Sequence, residues 1–226
     1  MVSVVLPAYN PPENWQKNLY SFSAKIKADF DIAVEFIVVN DGSKQKITLK
    51  NTNDIRVISY SENKGKGYAL REGVKAATGE LVIYTDIDFP YTHESFLKIY
   101  NCLKNDNADV AIGIRGEDYY THLPKTRVRI SKLLRWFIKI FLRIPTDDTQ
   151  CGLKGFNQRG REIFLQTTIK RYLFDLEFIF LSAHKKISIK TIEVELRPEV
   201  TLSKMNWKIL TQEFGNFLKI FVRSIF

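Results

Sequence analysis

The sequence has little that would suit a secreted or membrane-spanning protein. Only two of its 226 residues are cysteines, Cys102 and Cys151, and neither has the C-x-x-C spacing of redox or metal sites. This composition favours a reduced, cytoplasmic setting. No signal-peptide pattern opens the chain, and no uninterrupted apolar run reaches the roughly 20 residues that cross a bilayer. We therefore expect any membrane contact to be peripheral, on the cytoplasmic face.

The chain also lacks internal repeats and any linker rich in glycine, proline or serine. Its 45% hydrophobic and 26% charged residues are ordinary for a globular protein, which excludes a disordered or low-complexity chain. A chain of this length can bury a substantial core as one domain. We expect a catalytic domain over residues 1–200 and an amphipathic helical tail over residues 201–226.

Basic residues outnumber acidic ones, since 34 lysines and arginines face 25 aspartates and glutamates, for a formal charge of +9. Such an excess fits an anionic partner, which could be nucleic acid, anionic lipid or a phosphorylated substrate. No motif of interleaved aromatic residues and glycines indicates nucleic-acid binding, so we expect no nucleic-acid partner.

The first half of the chain alternates between short apolar runs and amphipathic stretches. Val2–Leu6, Val34–Val39 and Glu80–Thr85 are predicted strands that lead into polar turns, while Gly67–Ala77 and Pro90–Leu103 have helical periodicity. This order predicts an α/β fold with a mostly parallel central sheet flanked by helices. In such sheets ligands bind beyond the carboxyl ends of the strands.

The second half is less regular. The stretch Arg127–Ile144 is basic and amphipathic, and Asp147–Phe156 has the composition of a polar loop. Tyr172–Ala183 is predicted to be helical, and Ile187–Leu196 alternates like a strand.

Two carboxylates, Asp86 and Asp88, directly follow the predicted strand Glu80–Thr85. Strand alternation turns both to one side while Ile87 faces the other way. Paired oxygen ligands at a strand end suit Mg²⁺ or Mn²⁺, which bind one or two carboxylates together with substrate phosphates. A solvated acidic turn would have the same sequence, so the neighbouring motifs must decide between the two.

Four motifs occur in a set order: Leu6–Asn10, Asn40–Ser43, Asn63–Gly67 and Thr85–Asp88. In this order and spacing they resemble family 2 glycosyltransferases. Further along, Asp148–Lys154 and Phe174–Glu177 look like signatures of dolichyl-phosphate glucosyltransferases and polyprenyl-phosphate mannosyltransferases. The resemblance covers about residues 2 to 200 and implies a GT-A fold, the fold of nucleotide-diphospho-sugar transferases.

The resemblance also implies a role for each matching residue. It assigns the donor nucleotide to Pro7, Tyr9, Asp41, Lys66 and Asp86. It assigns the divalent metal, Mg²⁺ or Mn²⁺, to Asp86 and Asp88, and makes Asp88 a candidate catalytic residue. Gln150 and Lys154 belong to the downstream motif. Loop packing, a tight turn and an exposed lysine at a helix start are the structural alternatives for individual residues.

The acceptor decides which further groups the reaction needs. In either case a metal that bridges the phosphate oxygens stabilises the charge on the leaving diphosphate. A lipid phosphate is already anionic and needs cationic positioning rather than a strong base. The resemblance places such an acceptor-phosphate site at Arg115, Arg127, Arg129 and Ser131. A solvated basic face is the alternative for each of these four.

A sugar hydroxyl as acceptor would instead require a carboxylate to take its proton, and Asp148 and Asp175 are the catalytic candidates. Helix-start or core-network roles are the alternatives for both. The residues after the D-x-D are Phe89-Pro90-Tyr91, where the lipid-phosphate families usually have a small or polar residue. This departure leaves the identity of the sugar open.

Two stretches, Arg127–Ile144 and Trp207–Ile225, place apolar and basic residues on separate stripes of a helix. This pattern suits a helix in a lipid interface and equally a helix packed on the domain. We expect either a peripheral membrane protein or a separate membrane-protein partner.

The sequence therefore predicts a metal-dependent glycosyltransferase of glycan biosynthesis, and the resemblance implies that it is inverting. It would move a hexose from a UDP- or GDP-sugar to a polyprenyl phosphate, dolichyl or undecaprenyl. A transferase acting on a sugar hydroxyl in surface polysaccharide synthesis is the alternative within the same chemistry. A non-catalytic basic membrane-binding module is the alternative from another class, and intact Asp41, Asp86 and Asp88 argue against it.

Overall fold

The computed structural model describes residues 1–29, 33–49, 54–116, 138, 140, 142–146, 148–198, 213, 215–218 and 220–222. The strands are β1 Val2–Ala8, β2 Val34–Asp41, β3 Ile55–Tyr60, β4 Leu81–Tyr84, β5 Val110–Arg115, β6 Lys154–Phe156 and β7 Ile189–Val194. The helices that have described bounds are α1 Trp15–Asp29, α2 Lys66–Ala76, α3 His93–Asn105, α4 Gln158–Phe164 and α5 Phe174–His184.

The strands of the described residues form one seven-stranded sheet in the order β3-β2-β1-β4-β6-β5-β7. The pairs β1–β2, β1–β4, β2–β3 and β5–β7 are parallel, and β6 runs antiparallel to both of its neighbours. The α/β fold with a mostly parallel sheet is thus confirmed. Because β1, β2 and β4 run in one direction, their polar turns meet at one edge of the sheet.

Helices cover the sheet on both faces, which explains why the central strands are apolar at nearly every position. On one face, Val4 and Leu6 of β1 belong to a core cluster with Leu19 of α1 and Phe96 of α3. On the other face, Val5 belongs to a second cluster with residues of α2 and α5. Alternate side chains of a single strand therefore anchor two different helical layers.

Two features of the second half differ from the sequence prediction. The predicted polar loop Asp147–Phe156 ends in a strand, because Lys154–Phe156 pairs with both β4 and β5. Helix α4 was not predicted. It follows directly, and the side chain of Asn157 caps it by accepting hydrogen bonds from Arg159 N at 2.9 Å and Gly160 N at 3.2 Å.

Parts of the two amphipathic stretches lie against the domain. Ile220 is only 1% exposed and joins the second core cluster with Leu142 and Ile144. The carboxylate of Glu213 accepts a hydrogen bond from Leu173 N at 3.2 Å. Among the described residues, no helix combines the length and apolarity needed to span a bilayer. The division into a domain over 1–200 and a tail over 201–226 stays a prediction.

Candidate active site

A cleft of about 430 Å³ opens at the carboxyl ends of β1, β2 and β4. Its lining residues are Pro7, Ala8, Tyr9, Asp41, Asn63, Gly65, Lys66, Asp86, Arg171 and Tyr172. The structure thus brings together all five residues that the resemblance assigns to the donor nucleotide. Each of them comes from a strand end or a helix start, which are the positions where side chains of an α/β sheet converge.

The loops that follow β1 and β2 are tied to each other. Asn10 N donates to Ser43 Oγ at 2.9 Å, and Lys44 N donates to Asn10 Oδ1 at 3.0 Å. Asn10 adopts a positive φ of 46° to make this connection. Tyr9, 51% exposed, is thereby held at the mouth of the cleft.

The carboxylate of Asp41 organises the turn that leads into α2. It accepts hydrogen bonds from Lys64 N at 2.7 Å, Gly65 N at 2.9 Å and the side chain of Asn63 at 2.9 Å. Gly65 has a φ of 100°, which favours glycine. Asp41 is 3% exposed, so most of its hydrogen-bonding capacity is directed at the protein itself. Contact with the nucleotide base stays a prediction for this residue.

Lys66 is the first residue of α2 and forms an ion pair with Asp86, with 2.5 Å between Nζ and Oδ1. Burial opposes the charge of Lys66, but the carboxylates of Asp86 and Asp175 outweigh burial and raise the pKa of the ammonium. The lysine is therefore cationic at neutral pH and lies beside the helix N-terminus, which also favours anions. Together they form an anion-binding corner of the cleft.

The second carboxylate of the D-x-D, Asp88, lies in the turn that follows β4. Loss of surrounding water, followed by the nearby charge of Asp86, raises the pKa of the Asp88 carboxyl. The backbone oxygen of Asp88 accepts a hydrogen bond from the Arg197 guanidinium at 2.7 Å. This contact holds the backbone of the turn in place.

Asp86 and Asp88 fit a hard divalent cation. Two carboxylates close enough for one to raise the pKa of the other are brought together at an electrostatic cost, which a bound dication would remove. Among the described residues, no group of three or more His, Cys, Asp or Glu could hold a metal by itself. The remaining ligands of Mg²⁺ or Mn²⁺ would therefore be phosphate oxygens and water, as these ions prefer.

Asp148, a candidate base from the sequence, is buried against Arg115. The Arg115 guanidinium donates to both of its carboxylate oxygens, at 2.9 and 2.6 Å, and Arg115 N donates at 2.9 Å. Burial alone would raise the pKa of Asp148, but the hydrogen bonds and charge of Arg115 outweigh burial and lower it. Arg115 is the last residue of β5, and Asp148 lies in the loop before β6.

Asp175, the other candidate base, belongs to a fully buried network. Its Oδ1 accepts hydrogen bonds from Lys154 Nζ at 2.7 Å and Tyr84 Oη at 2.5 Å. Lys154 is 0% exposed and also donates to the carbonyl oxygens of Thr149 and Cys151. The network therefore joins β4, β6, α5 and the loop that carries the exposed Gln150.

Three of the predicted acceptor-phosphate residues, Arg127, Arg129 and Ser131, lie outside the described residues. Their proposed role stays a prediction, and Arg115 is the member of that group whose position is described.

Comparison with known proteins decides the family. Residues 3–168 match the sequence profile described as Glycosyl transferase family 2. The chain belongs to this family.

The curated relatives of this family 2 glycosyltransferase include enzymes named for one activity. It is 27% identical to the dolichyl-phosphate beta-glucosyltransferase of Dictyostelium discoideum, over 91% of this chain and 68% of the relative. It is 29% identical to the enzyme of that name from Saccharomyces cerevisiae, over 90% and 69%. The enzyme of that name from Homo sapiens is 30% identical, over 85% and 66%.

Solved structures of similar shape confirm the GT-A fold of this family 2 glycosyltransferase. Mannosyl-3-phosphoglycerate synthase from Rubrobacter xylanophilus has a TM-score of 0.73 at 15% identity, covering 100% of this chain and 74% of that one. Glucosyl-3-phosphoglycerate synthase from Mycobacterium tuberculosis, in complex with Mn²⁺, UDP and phosphoglyceric acid, has a TM-score of 0.68 at 16% identity, covering 99% and 78%. At these identities the likeness concerns the fold.

Two residues that line the cleft, Arg171 and Tyr172, were not predicted from the sequence. They come more than a hundred residues after Lys66 in the chain. The signal that could have found them is their position just before the Phe174–Glu177 motif, separated from it by Leu173, where a basic and an aromatic residue stand together. Arg197, which holds the D-x-D turn through a backbone oxygen, was not predicted either.

Proposed function

We propose that this family 2 glycosyltransferase moves a hexose from a UDP- or GDP-sugar to a polyprenyl phosphate, with inversion and with the help of Mg²⁺ or Mn²⁺. The observation that carries the proposal is the corner of the donor cleft where Lys66 pairs with Asp86, two residues before Asp88. The curated relatives, named dolichyl-phosphate beta-glucosyltransferases, support glucose as the sugar and a polyprenyl phosphate as the acceptor.

The chemistry follows from where charge develops. As the bond between sugar and diphosphate stretches, negative charge accumulates on the leaving diphosphate, and preorganised cationic groups stabilise it. Lys66 and the N-terminus of α2 supply positive potential at that point. A divalent metal held by Asp86 and Asp88 would supply Lewis-acid stabilisation of the same oxygens. Tyr9 and Pro7, at the mouth of the cleft, are the proposed contacts of the nucleotide.

The surroundings of the two candidate bases support a phosphate acceptor over a sugar hydroxyl. Asp148 is held by Nε and Nη2 of Arg115, and Asp175 is held by Lys154 and Tyr84. A carboxylate with a lowered pKa, such as Asp148, is a weak acceptor of a hydroxyl proton. A phosphate nucleophile needs no such transfer, so we assign positioning roles to these carboxylates.

A polyprenyl phosphate is embedded in a membrane, so we propose that the enzyme acts at the cytoplasmic membrane surface as a peripheral protein. The side chains of Ile140, Leu218 and Val222 are 51%, 44% and 51% exposed. They lie in the segments in which Leu142, Ile144 and Ile220 are buried on the domain. Exposed aliphatic side chains of this kind suit contact with lipid.

Transfer of labelled sugar tests the proposal. Purified enzyme is incubated with UDP-glucose, other UDP-hexoses and GDP-mannose, Mn²⁺ or Mg²⁺, and dolichyl or undecaprenyl phosphate, and lipid-extractable label is counted. Asp88→Asn should remove the activity, whereas Asp106→Asn, which changes a half-exposed carboxylate paired with Lys190, should leave it unchanged. Metal-dependent hydrolysis of the donor without lipid product would move the acceptor to a carbohydrate. Absence of any reaction with any donor would refute the proposed function.

A further inference from the structure

Two residues that line one wall of the donor cleft are not used in the proposed function. They are Arg171 and Tyr172, which we call the Arg171–Tyr172 wall. Tyr172 is 46% exposed, close to the 51% of Tyr9, which lines the same cleft. A large aromatic side chain that remains half exposed beside a cleft contributes little to the core, which makes it available to a ligand.

The segment that carries this wall is held in place by ionisable side chains with little exposure. The carboxylate of Glu177 accepts hydrogen bonds from Thr168 N and Ile169 N, each at 2.8 Å. Arg71, which is 8% exposed, donates to the Ile169 carbonyl oxygen at 2.8 Å and to Thr167 Oγ1 at 3.1 Å. Hydrogen bonds to charged groups are among the stronger ones in proteins, so the backbone that leads to the wall is well fixed.

The wall also packs against the start of α2. Tyr68 N donates to the Lys170 carbonyl oxygen at 3.1 Å. A Cβ atom at Gly65 would meet that oxygen at 2.5 Å and Arg171 Cγ at 3.0 Å. The stem of Arg171 therefore lies beside the N-terminus of α2, the same place where Lys66 and the helix dipole favour an anion.

The two basic side chains of this region, Lys66 and Arg171, differ in their ion pairing. Lys66 is paired with Asp86. Arg171, in contrast, forms no side-chain hydrogen bond or ion pair with another residue in the described part of the chain. An arginine fork suits the geometry of phosphate oxygens, and a guanidinium beside a helix N-terminus favours a multiply charged anion.

We propose that the Arg171–Tyr172 wall binds the donor: Arg171 contacts the diphosphate, and Tyr172 offers its ring to the nucleobase. The inference rests on the proposed function, since it needs a nucleoside diphosphate in the cleft. It adds a cation that does not depend on the metal and a second aromatic surface beside Tyr9. Both residues arrive from the second half of the chain, so the donor site joins parts of the sequence that the first-half motifs do not include.

Binding of nucleotides to the full chain tests the inference. Affinities for UDP and GDP in the presence of Mn²⁺ are measured by calorimetry for the wild type and for Arg171→Ala, Tyr172→Ala and Tyr172→Phe. The matched control is Lys170→Ala, which removes the same charge from the neighbouring exposed residue that does not line the cleft. Thermal melting of each variant checks that the fold is intact. Binding of the corresponding nucleoside, uridine or guanosine, is measured by NMR.

Arg171→Ala should weaken binding of the nucleoside diphosphate by about 10- to 100-fold and change nucleoside binding little, because a charge-assisted contact to phosphate is lost. Tyr172→Ala should weaken both ligands by about tenfold, and Tyr172→Phe should bind like the wild type because the ring is retained. Lys170→Ala should also bind like the wild type. Equal affinities of wild type and Arg171→Ala would overturn the inference alone, whereas a wild type that binds neither nucleotide would overturn the proposed function with it.

Discussion

The buried network of Lys154, Asp175 and Tyr84 gives the sharpest prediction about stability. Lys154 is 0% exposed and Asp175 4%, so neither charge can turn to water if its partner is removed. Removing one member of a buried ion pair typically costs about 3 to 5 kcal/mol. We therefore expect Lys154→Met, which is similar in size and shape, to lower the free energy of unfolding by about that amount.

The cycle of single and double variants separates the interaction from the loss of packing. Asp175→Asn should also cost about 3 kcal/mol, because it leaves the Lys154 ammonium with carbonyl oxygens alone. The double variant removes both charges, so its cost should fall short of the sum of the single costs by about 1 to 3 kcal/mol. Urea denaturation measures these costs. With a slope of roughly 3 kcal/mol per molar, Asp175→Asn should lower the midpoint by about 1 M and Lys154→Met by about 1 to 1.7 M.

Lys190→Met is the matched control, because the Lys190–Asp106 pair is 3.5 Å apart and about half exposed on both sides. Its effect should stay within about 0.5 kcal/mol. Costs of the two single variants that simply add, within about 0.5 kcal/mol, would contradict the reasoning. So would a Lys154→Met variant that is as stable as the wild type.

Three further predictions concern acid stability, the glycine turn and the metal. The pKa of Asp148 is lowered in the folded state, so the stability that its carboxylate contributes is complete above about pH 4, the unfolded value, and is lost as the pH falls through the folded value. The melting temperature of Asp148→Asn should therefore fall less steeply below about pH 4 than that of the wild type. Parallel curves for the two proteins would contradict this. Gly65→Ala places a Cβ atom 2.5 Å from the Lys170 carbonyl oxygen at a φ of 100°, so it should lower the free energy of unfolding by at least about 1 to 3 kcal/mol in urea denaturation. The control is Gly215→Ala, where a Cβ atom meets nothing within 4 Å, and it should not destabilise the protein. Removal of Mn²⁺ with EDTA should weaken the binding of UDP or GDP to the wild type in calorimetry. In Asp86→Asn and Asp88→Asn the nucleotide affinity should no longer depend on EDTA. Variants that respond to EDTA like the wild type would place the metal elsewhere.

The sequence predicts the first half of the fold well because its signals are local. The run before Asp86 is apolar and ends in a polar turn, so the position of the two carboxylates at the end of β4 follows from nearby residues. The predicted polar loop Asp147–Phe156 was wrong only at its last three residues, because β6 is that short and begins with a lysine, which resembles loop sequence. Burial of that lysine depends on Asp175, a partner that local periodicity cannot reveal.

The candidate site shows the same division between local and distant information. The five residues that the resemblance assigns to the donor nucleotide line one cleft, because each stands at the end of a strand or the start of a helix. The sequence also draws attention to Asp148, but the pattern of residue types does not show that Arg115 occupies its carboxylate. Arg171 was missed because its place beside Gly65 is created by tertiary packing alone.

The antiparallel strand β6 has a consequence for how such an enzyme can be altered. It is paired over only three residues with β4 and three with β5, so two blocks of parallel strands meet along a narrow join. Residues from β1 to β4, together with Arg171 and Tyr172, line the cleft, whereas β5 and the loop before β6 carry Arg115 and Asp148. We expect exchange of the block beyond this join between related enzymes to alter the surroundings of Arg115 and to exchange the Arg171–Tyr172 wall with them, while it leaves the motifs of the first block undisturbed. The fold thus offers a natural boundary for building hybrid transferases.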